Sequence, residues 1–308
     1  MTSRGLFRFA VFVTAYVLIH IKLGALVTST GSGMAFEDWP LSEGSVWPPG
    51  MDKPKYLEHI HRVSGTLLGL FSLLLVWFVY RNDRRVWLRR TSILFVVVVT
   101  VQGIFGGLGV VYGDMANGIT WAPAAIVHGT LAQPTLCLAA FIAFALSSAW
   151  HERVVVPAHL ARTARKLAGV AFGLVFAQIL MGAIVRHTNA TGMLWLHVFS
   201  AVVVALAILV STSYNSGKFG SASPGLRRLG FWIWILLMTQ LVLGFATLLV
   251  RKPKDPSNIG EIAHNTIASA HVVVGASVFV IVTLLFARVW RTLEVAPASA
   301  RATATTVA

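Results

Sequence analysis

Cysteine is nearly missing from this chain of 308 residues: Cys137 stands alone, inside an apolar run. A single thiol excludes an intrachain disulfide and any cysteine-based metal motif, so Cys137 reads as a small packing residue. Charge is scarce as well, at 12% of residues against about a quarter in soluble domains. Acid is scarcest: 11 Asp and Glu stand against 25 Lys and Arg. A net charge of +14 raises the question of nucleic acid, but the basic residues sit in short loops between long apolar runs. That pattern sets membrane orientation and is no nucleic-acid footprint.

What fills the chain instead is hydrophobic, 56% of residues with a mean hydropathy of +0.75. Eight runs reach the roughly 20 residues that cross a hydrocarbon core: about 8–28, 57–80, 92–112, 123–149, 167–187, 193–212, 229–250 and 263–287. The expectation is an all-α polytopic membrane protein with eight transmembrane helices. Arg4 and Arg8 open the first run as a signal peptide would, but no small-residue cleavage site follows, so it reads as an uncleaved span. Basic residues crowd the loops 81–91, 150–166 and 213–228 and both termini, whereas the opposite side holds Lys53, Lys55, Arg251, Lys252 and Lys254. The bias puts both termini in the cytoplasm, in a cell (plasma or inner) membrane. On the outer side one long loop, roughly 29–56, carries Trp39, Trp47, Pro48 and Pro49, which suit an interfacial lid. The Ala/Thr/Ser tail 296–308 reads as a disordered cytoplasmic segment.

The two halves echo one another. Gly24-Ala-Leu-Val returns as Gly182-Ala-Ile-Val, and Gln102-Gly-Ile-Phe-Gly returns more loosely as Gln240-Leu-Val-Leu-Gly. Histidines open the even-numbered spans: His61, His128, His197 and His271. Both halves start on the same side, which predicts a parallel repeat of two pseudo-symmetric four-helix bundles, 1–150 and 151–295.

A histidine inside a span is costly unless something engages it. Any one of them can bond a carbonyl or a serine, but four in register point to ligands. Two facing imidazoles suit the axial positions of a haem, with the second ring nitrogen held by an acceptor. His61 then pairs with His128 and His197 with His271, and Gly65, Gly129, Ala201 and Gly275 leave room for a porphyrin face. Zinc fits less well, since its sites gather more ligands in one cluster. Glu58, His61 and Arg62 stand at i, i+3 and i+4 and share a helical face. Arg62 suits a haem propionate; Glu58 suits a proton acceptor or electrostatic stabiliser, or a plain ion pair with Arg62. Arg186 and His187 close the fifth span as further propionate candidates or as interfacial anchors. Lys22, His20, His59 and His264 are weaker candidates that can snorkel or face solvent. No acid or arginine flanks His197, so the first bundle reads as the reactive one and the second as an electron-transfer haem.

At these residues the chain resembles the haem A synthase family, in its cysteine-poor type. The likeness rests on Gly24-Ala-Leu-Val-Thr-Ser-Thr-Gly-Ser-Gly33, Glu58-His-Ile-His61-Arg62, Gly182-Ala-Ile-Val-Arg186-His187-Thr, and on His128, His197 and His271 in their helices. It implies haem O as substrate near His61 and His128, oxidised at its C8 methyl through hydroxylated intermediates to the formyl of haem A. Glu58 matches the family's essential glutamate. The resemblance also implies a haem b between His197 and His271, a membrane electron donor, haem O synthase as supplier and the terminal oxidase assembly machinery as recipient. Long lipid-facing surfaces allow a homo-oligomer. Two departures stand out: the outer-loop cysteine pairs of some relatives are missing, and Leu196 and Val198 flank His197 where many relatives carry a polar residue and an arginine. The rival readings are a diheme membrane electron-transfer protein and a haem-binding assembly factor or transporter, neither oxidising a substrate.

Overall fold

The computed structural model describes residues 3–114, 120–188, 190–250 and 258–295; the expected tail 296–308 lies outside them. Among the described residues are eight helices long and apolar enough to cross a membrane. They are α1 (Ser3–Ser29), α2 (Lys53–Asn82), α3 (Val86–Val111), α4 (Ala122–Leu146), α5 (Ala158–Thr188), α6 (Thr191–Phe219), α7 (Pro224–Leu249) and α8 (Asn258–Thr292). The chain is therefore an all-α polytopic membrane protein.

Most helices outrun their apolar segments, because polar residues beyond the hydrocarbon edge keep the helical ladder closed. α2 starts at Lys53, where the Asp52 carboxylate accepts from Lys55 N at 3.0 Å and Pro54 fills an early position that needs no donor. α7 starts likewise on Ser223 and Pro224. The fourth span is the exception. It ends at Leu146 rather than 149, and a 3₁₀ turn, Ser148–His151, takes over.

Helices α1 to α4 close a ring in which each packs on the next and α4 returns to α1; α5 to α8 do the same. Contacts of α8 with α1 and α4, and of α4 with α5, join the rings. α4 is central: 61% of its most apolar window is buried, against 39% or less elsewhere. Its small residues Ala124, Ala132, Ala139, Ala140 and Ala143 are buried, and small side chains let helices approach closely where the lipid supplies no hydrophobic drive. Each ring has its own core. One gathers Leu6, Val13, Leu68, Leu75, Phe95 and Leu136, the other Val175, Ile208, Ile233, Phe279 and Leu285.

At the end away from the four histidines, the stretch between α4 and α5 is built into the structure. Strand β1 (Val154–Val156) pairs in parallel with β2 (Leu293–Val295), directly after α8. Arg288 pairs with Glu152, and Arg153 Nε with Glu294 at 2.7 Å. Trp150 stacks on Trp87 with ring centres 5.1 Å apart. Nothing in the hydropathy pattern announces this clasp, because short strands held by ion pairs leave no periodic signal.

Candidate functional site

The long loop is a strap across the other end of the first ring. Met34 and Phe36 are buried, and the Trp39 indole lies so close to α3 that a Cβ at Gly107 would stand 2.5 Å from it. Ser42 Oγ bonds His59 Nδ1 at 3.0 Å, and Trp47 meets the His59 ring edge-on. Asp38 accepts from Glu43 N and Gly44 N, each at 2.8 Å, in a turn where both residues have positive φ. Burial pushes the Asp38 carboxyl up, but these amides, helped by Arg62, outweigh it and hold it below its ordinary value. The expected lid is a tethered one.

Glu58 is the tether. It is 3% exposed. Oε2 accepts from Ala35 N at 2.7 Å and Phe36 N at 3.2 Å, while Oε1 takes Arg62 Nε at 3.1 Å and Nη2 at 2.5 Å. Arg62 Nη1 donates to the carbonyls of Asp38, at 2.7 Å, and Leu41, and its guanidinium covers the Phe36 ring. The expected Glu58–Arg62 pair is present and is fastened to the strap. Four of the five guanidinium N–H groups are spent there, leaving one on Nη2.

One turn further along α2, His61 faces His128 of α4. Their ring centres are 6.3 Å apart and the ring planes cross at 89°. Two imidazoles bound to one metal through bonds of about 2 Å hold their centres roughly 6 Å apart, so the spacing fits a shared ion. His128 Nδ1 bonds the Gln102 carbonyl at 2.8 Å, the orientation expected of a ligand. Among the described residues the Nδ1 atoms of His61, His197 and His271 are buried without a partner, so of the four Nδ1 atoms only that of His128 has an acceptor there.

What seats every ring is a glycine on the preceding helix. A Cβ at Gly24 would stand 2.9 Å from His61 Cε1; the corresponding distances are 3.2 Å for Gly106 and His128, 3.1 Å for Gly182 and His197, and 3.0 Å for Gly244 and His271. These are the glycines of the internal echo. The glycines expected to leave porphyrin room are occupied differently: Gly65 faces His20, Gly129 faces His187 and Gly275 faces Gln240. In the second ring Gln178 Nε2 donates to the His197 carbonyl at 2.7 Å, and Gln240 Nε2 lies 3.3 Å from His271 Nε2.

Arg186 and His187 do not stay within their own half. Arg186 Nη2 donates to Ala25 O at 2.7 Å and Ser29 Oγ at 2.8 Å, both on α1, and Ser29 Oγ in turn meets Ser269 Oγ of α8 at 3.1 Å. His187 reaches Gly129 of α4. His20, expected to snorkel or face solvent, is instead buried and stacked on His61 with ring centres 4.3 Å apart. Lys22 is exposed, as expected.

A family model for cytochrome oxidase assembly proteins of the COX15-CtaA type matches residues 7–195. The chain belongs to this family. The COX15-CtaA match takes in α1 to α5 with Glu58, His61, His128 and Arg186, and ends just before His197. Among curated relatives, the haem A synthase of Shouchella clausii is 27% identical over 195 residues, 61% of this chain and 61% of that protein. That of Bacillus pumilus is 29% identical over 194 residues, 58% of each. That of Bartonella tribocorum is 27% identical over 142 residues, 42% of this chain and 38% of its own. The chain thus spans less than two thirds of each relative's length.

Proposed function

We propose that this COX15-CtaA protein is a haem A synthase, oxidising the C8 methyl of haem O to a formyl through hydroxylated intermediates. The observation that carries the reading is His61 facing His128 at the separation of two axial ligands, one turn from a buried glutamate. The glycine seats, repeated at all four histidines, support the same kind of occupant, a haem, in both histidine pairs. The matching neighbour order of the two helix rings supports a reading as two pseudo-symmetric four-helix bundles, 1–150 and 151–295. The first holds the substrate haem between His61 and His128; the second holds haem b between His197 and His271 for electron transfer.

The bound haem supplies the oxidising iron and porphyrin; the protein supplies position and electrostatics. His61 and His128 fix the macrocycle, and the strap over α2 shuts water out of the site. Glu58 offers a carboxylate at the edge of that site as proton acceptor or electrostatic stabiliser. Arg62, through its remaining Nη2 N–H, Arg186 and His187 are assigned to propionates. Haem O synthase delivers the substrate and the terminal oxidase assembly machinery receives haem A. Since methyl to formyl is a four-electron oxidation, each hydroxylation consumes an external oxidant of the dioxygen class, and the membrane donor supplies the two electrons that reduce its second oxygen atom to water. Both termini lie in the cytoplasm by the charge bias. A homo-oligomer is compatible with the lipid-facing surface.

One observation favours a second reading, a diheme electron-transfer protein. Both oxygens of Glu58 are already engaged by Arg62 and by the amides of Ala35 and Phe36, which suffices for a structural glutamate. Co-expression with haem O synthase, followed by pigment extraction, separates the two. The synthase yields haem A; a haem-loaded preparation that yields none is the carrier.

A further inference from the structure

Every odd-numbered helix carries a polar residue one turn before the glycine that seats a histidine: His20 before Gly24, Gln102 before Gly106, Gln178 before Gly182, Gln240 before Gly244. Three of the four are glutamines, and each touches the histidine of the following helix. Gln102 does so through its carbonyl, Gln178 through its amide to the His197 carbonyl, and Gln240 through its amide to the ring. The first repeat breaks the pattern with an imidazole. His20 is buried, lies flat on His61 with planes 12° apart, and is pinned by Ser64 Oγ at 3.1 Å from its Nδ1. Ser64 is itself buried, and its carbonyl takes the Tyr16 hydroxyl at 3.2 Å.

We propose that His20 is a positioning residue that sets the ring plane of His61, and through it the crossed arrangement of the His61–His128 pair. The inference rests on those two histidines being the axial ligands of the first haem. His128 needs no such help, because the Gln102 carbonyl fixes its plane. His61 has no acceptor for Nδ1, so a hydrogen bond cannot choose its rotation. Two contacts with α1 do so instead: Gly24, which leaves no space for a Cβ, and the face of His20. Flat stacking on a ring whose own plane is pinned transmits that plane to His61. This departure from glutamine falls in the half that carries Glu58, and none of the other three seats has a stacked ring.

The test is low-temperature electron paramagnetic resonance of the ferric, full-length holoprotein, with haem content measured on the same samples. A low-spin haem with crossed axial imidazoles gives a signal at large gmax, which moves when the planes rotate. His20→Ala is expected to shift or broaden that signal while the second haem's signal and the haem content stay unchanged. His20→Phe, which keeps a flat ring against His61 but loses the Ser64 bond, brings the signal back toward the wild-type position and leaves it broadened, as Ser64→Ala does. An unmoved signal in His20→Ala overturns the proposal, as does a shift that Phe does not rescue. If His20→Ala fails to accumulate, Ser64→Ala, which frees only the pinned plane, is expected to broaden the same signal; an unchanged spectrum there overturns the proposal equally. Absence of any low-spin signal in the wild type removes the ligand assignment and this inference with it, a result distinct from an unmoved signal.

Discussion

Glu58 tethers the strap and is proposed to act on the substrate, and substitution can separate the two. Glu58→Gln keeps an acceptor for the strap amides but loses the charge; Glu58→Ala loses both. Conversion of haem O is expected to fall by about 10²-fold or more in each, the usual scale for a positioned acid or base, while bound haem persists. Pigment analysis against total haem reads this, and loss of haem in step with activity makes Glu58 structural. The glycine seats give a second prediction. Gly244→Ala places a methyl about 3.0 Å from His271 Cε1, so the ring must move. Haem per chain is expected to drop from two to one, counted by haemochrome assay; an unchanged count contradicts the seat. At this scale the sequence was informative about which histidines belong together, since the four costly imidazoles at equivalent depth in the apolar repeat are the four that the structure sets against a glycine of the preceding helix. It was mute about what holds them. His20 read as a residue free to snorkel, because one histidine in an apolar run carries no sign of the ring stacked beneath it. The signal that finds it is the register with Gln102, Gln178 and Gln240, which emerges only once the glycine seats are known.

Among the elements, the strap between α1 and α2 is fastened to Glu58, His59 and Arg62 by hydrogen bonds. Its turn depends on an ionised Asp38, whose carboxyl is held below the usual carboxylate range by backbone amides. The sign follows from that direction: the turn's contribution is complete above an unfolded value of about 3.9 and is lost as pH falls through the lowered value. Pepsin cleavage within residues 37–46 is therefore expected to rise only below about pH 4. Asp38→Asn should make the same segment labile at neutral pH, read as faster amide exchange at Glu43 and Gly44. Equal exchange in variant and wild type contradicts this. Tryptophan and proline content in the loop identified it as a lid, but its tether was hidden. Ala35, Phe36 and Leu41 contribute only backbone groups, which the sequence does not distinguish. Helix number was legible because eight runs of sufficient length admit no other element in lipid. Helix ends were not, since caps such as Asp52 extend them beyond the apolar signal.

Across the whole molecule, the two helix rings meet at α1, α4, α5 and α8, and Arg186 is the polar fastener of that seam. Removing it takes one donor from the Ala25 carbonyl and one from the part-buried Ser29 hydroxyl, which keeps Ser269, a cost of about 1 kcal/mol. Arg186→Ala is expected to lower Tm by several degrees, and a double-mutant cycle with Ser29→Ala should show coupling; additive effects contradict the bridge. The repeat was visible in the sequence through its glycine and histidine echoes. The seam was not, because it joins residues 157 positions apart: Arg186 stood out only as a propionate candidate or an interfacial anchor, and Ser29 did not stand out at all. The proposed function depends on two haems, each held by its own pair of histidines. The most direct measurement is the spin state and number of haems in the purified wild type, repeated for His61→Ala, His128→Ala, His197→Ala and His271→Ala. Two low-spin haems per chain are predicted, with each substitution abolishing the low-spin signal of one and sparing the other. A single haem, or a histidine whose loss disturbs both sites or neither, would contradict it.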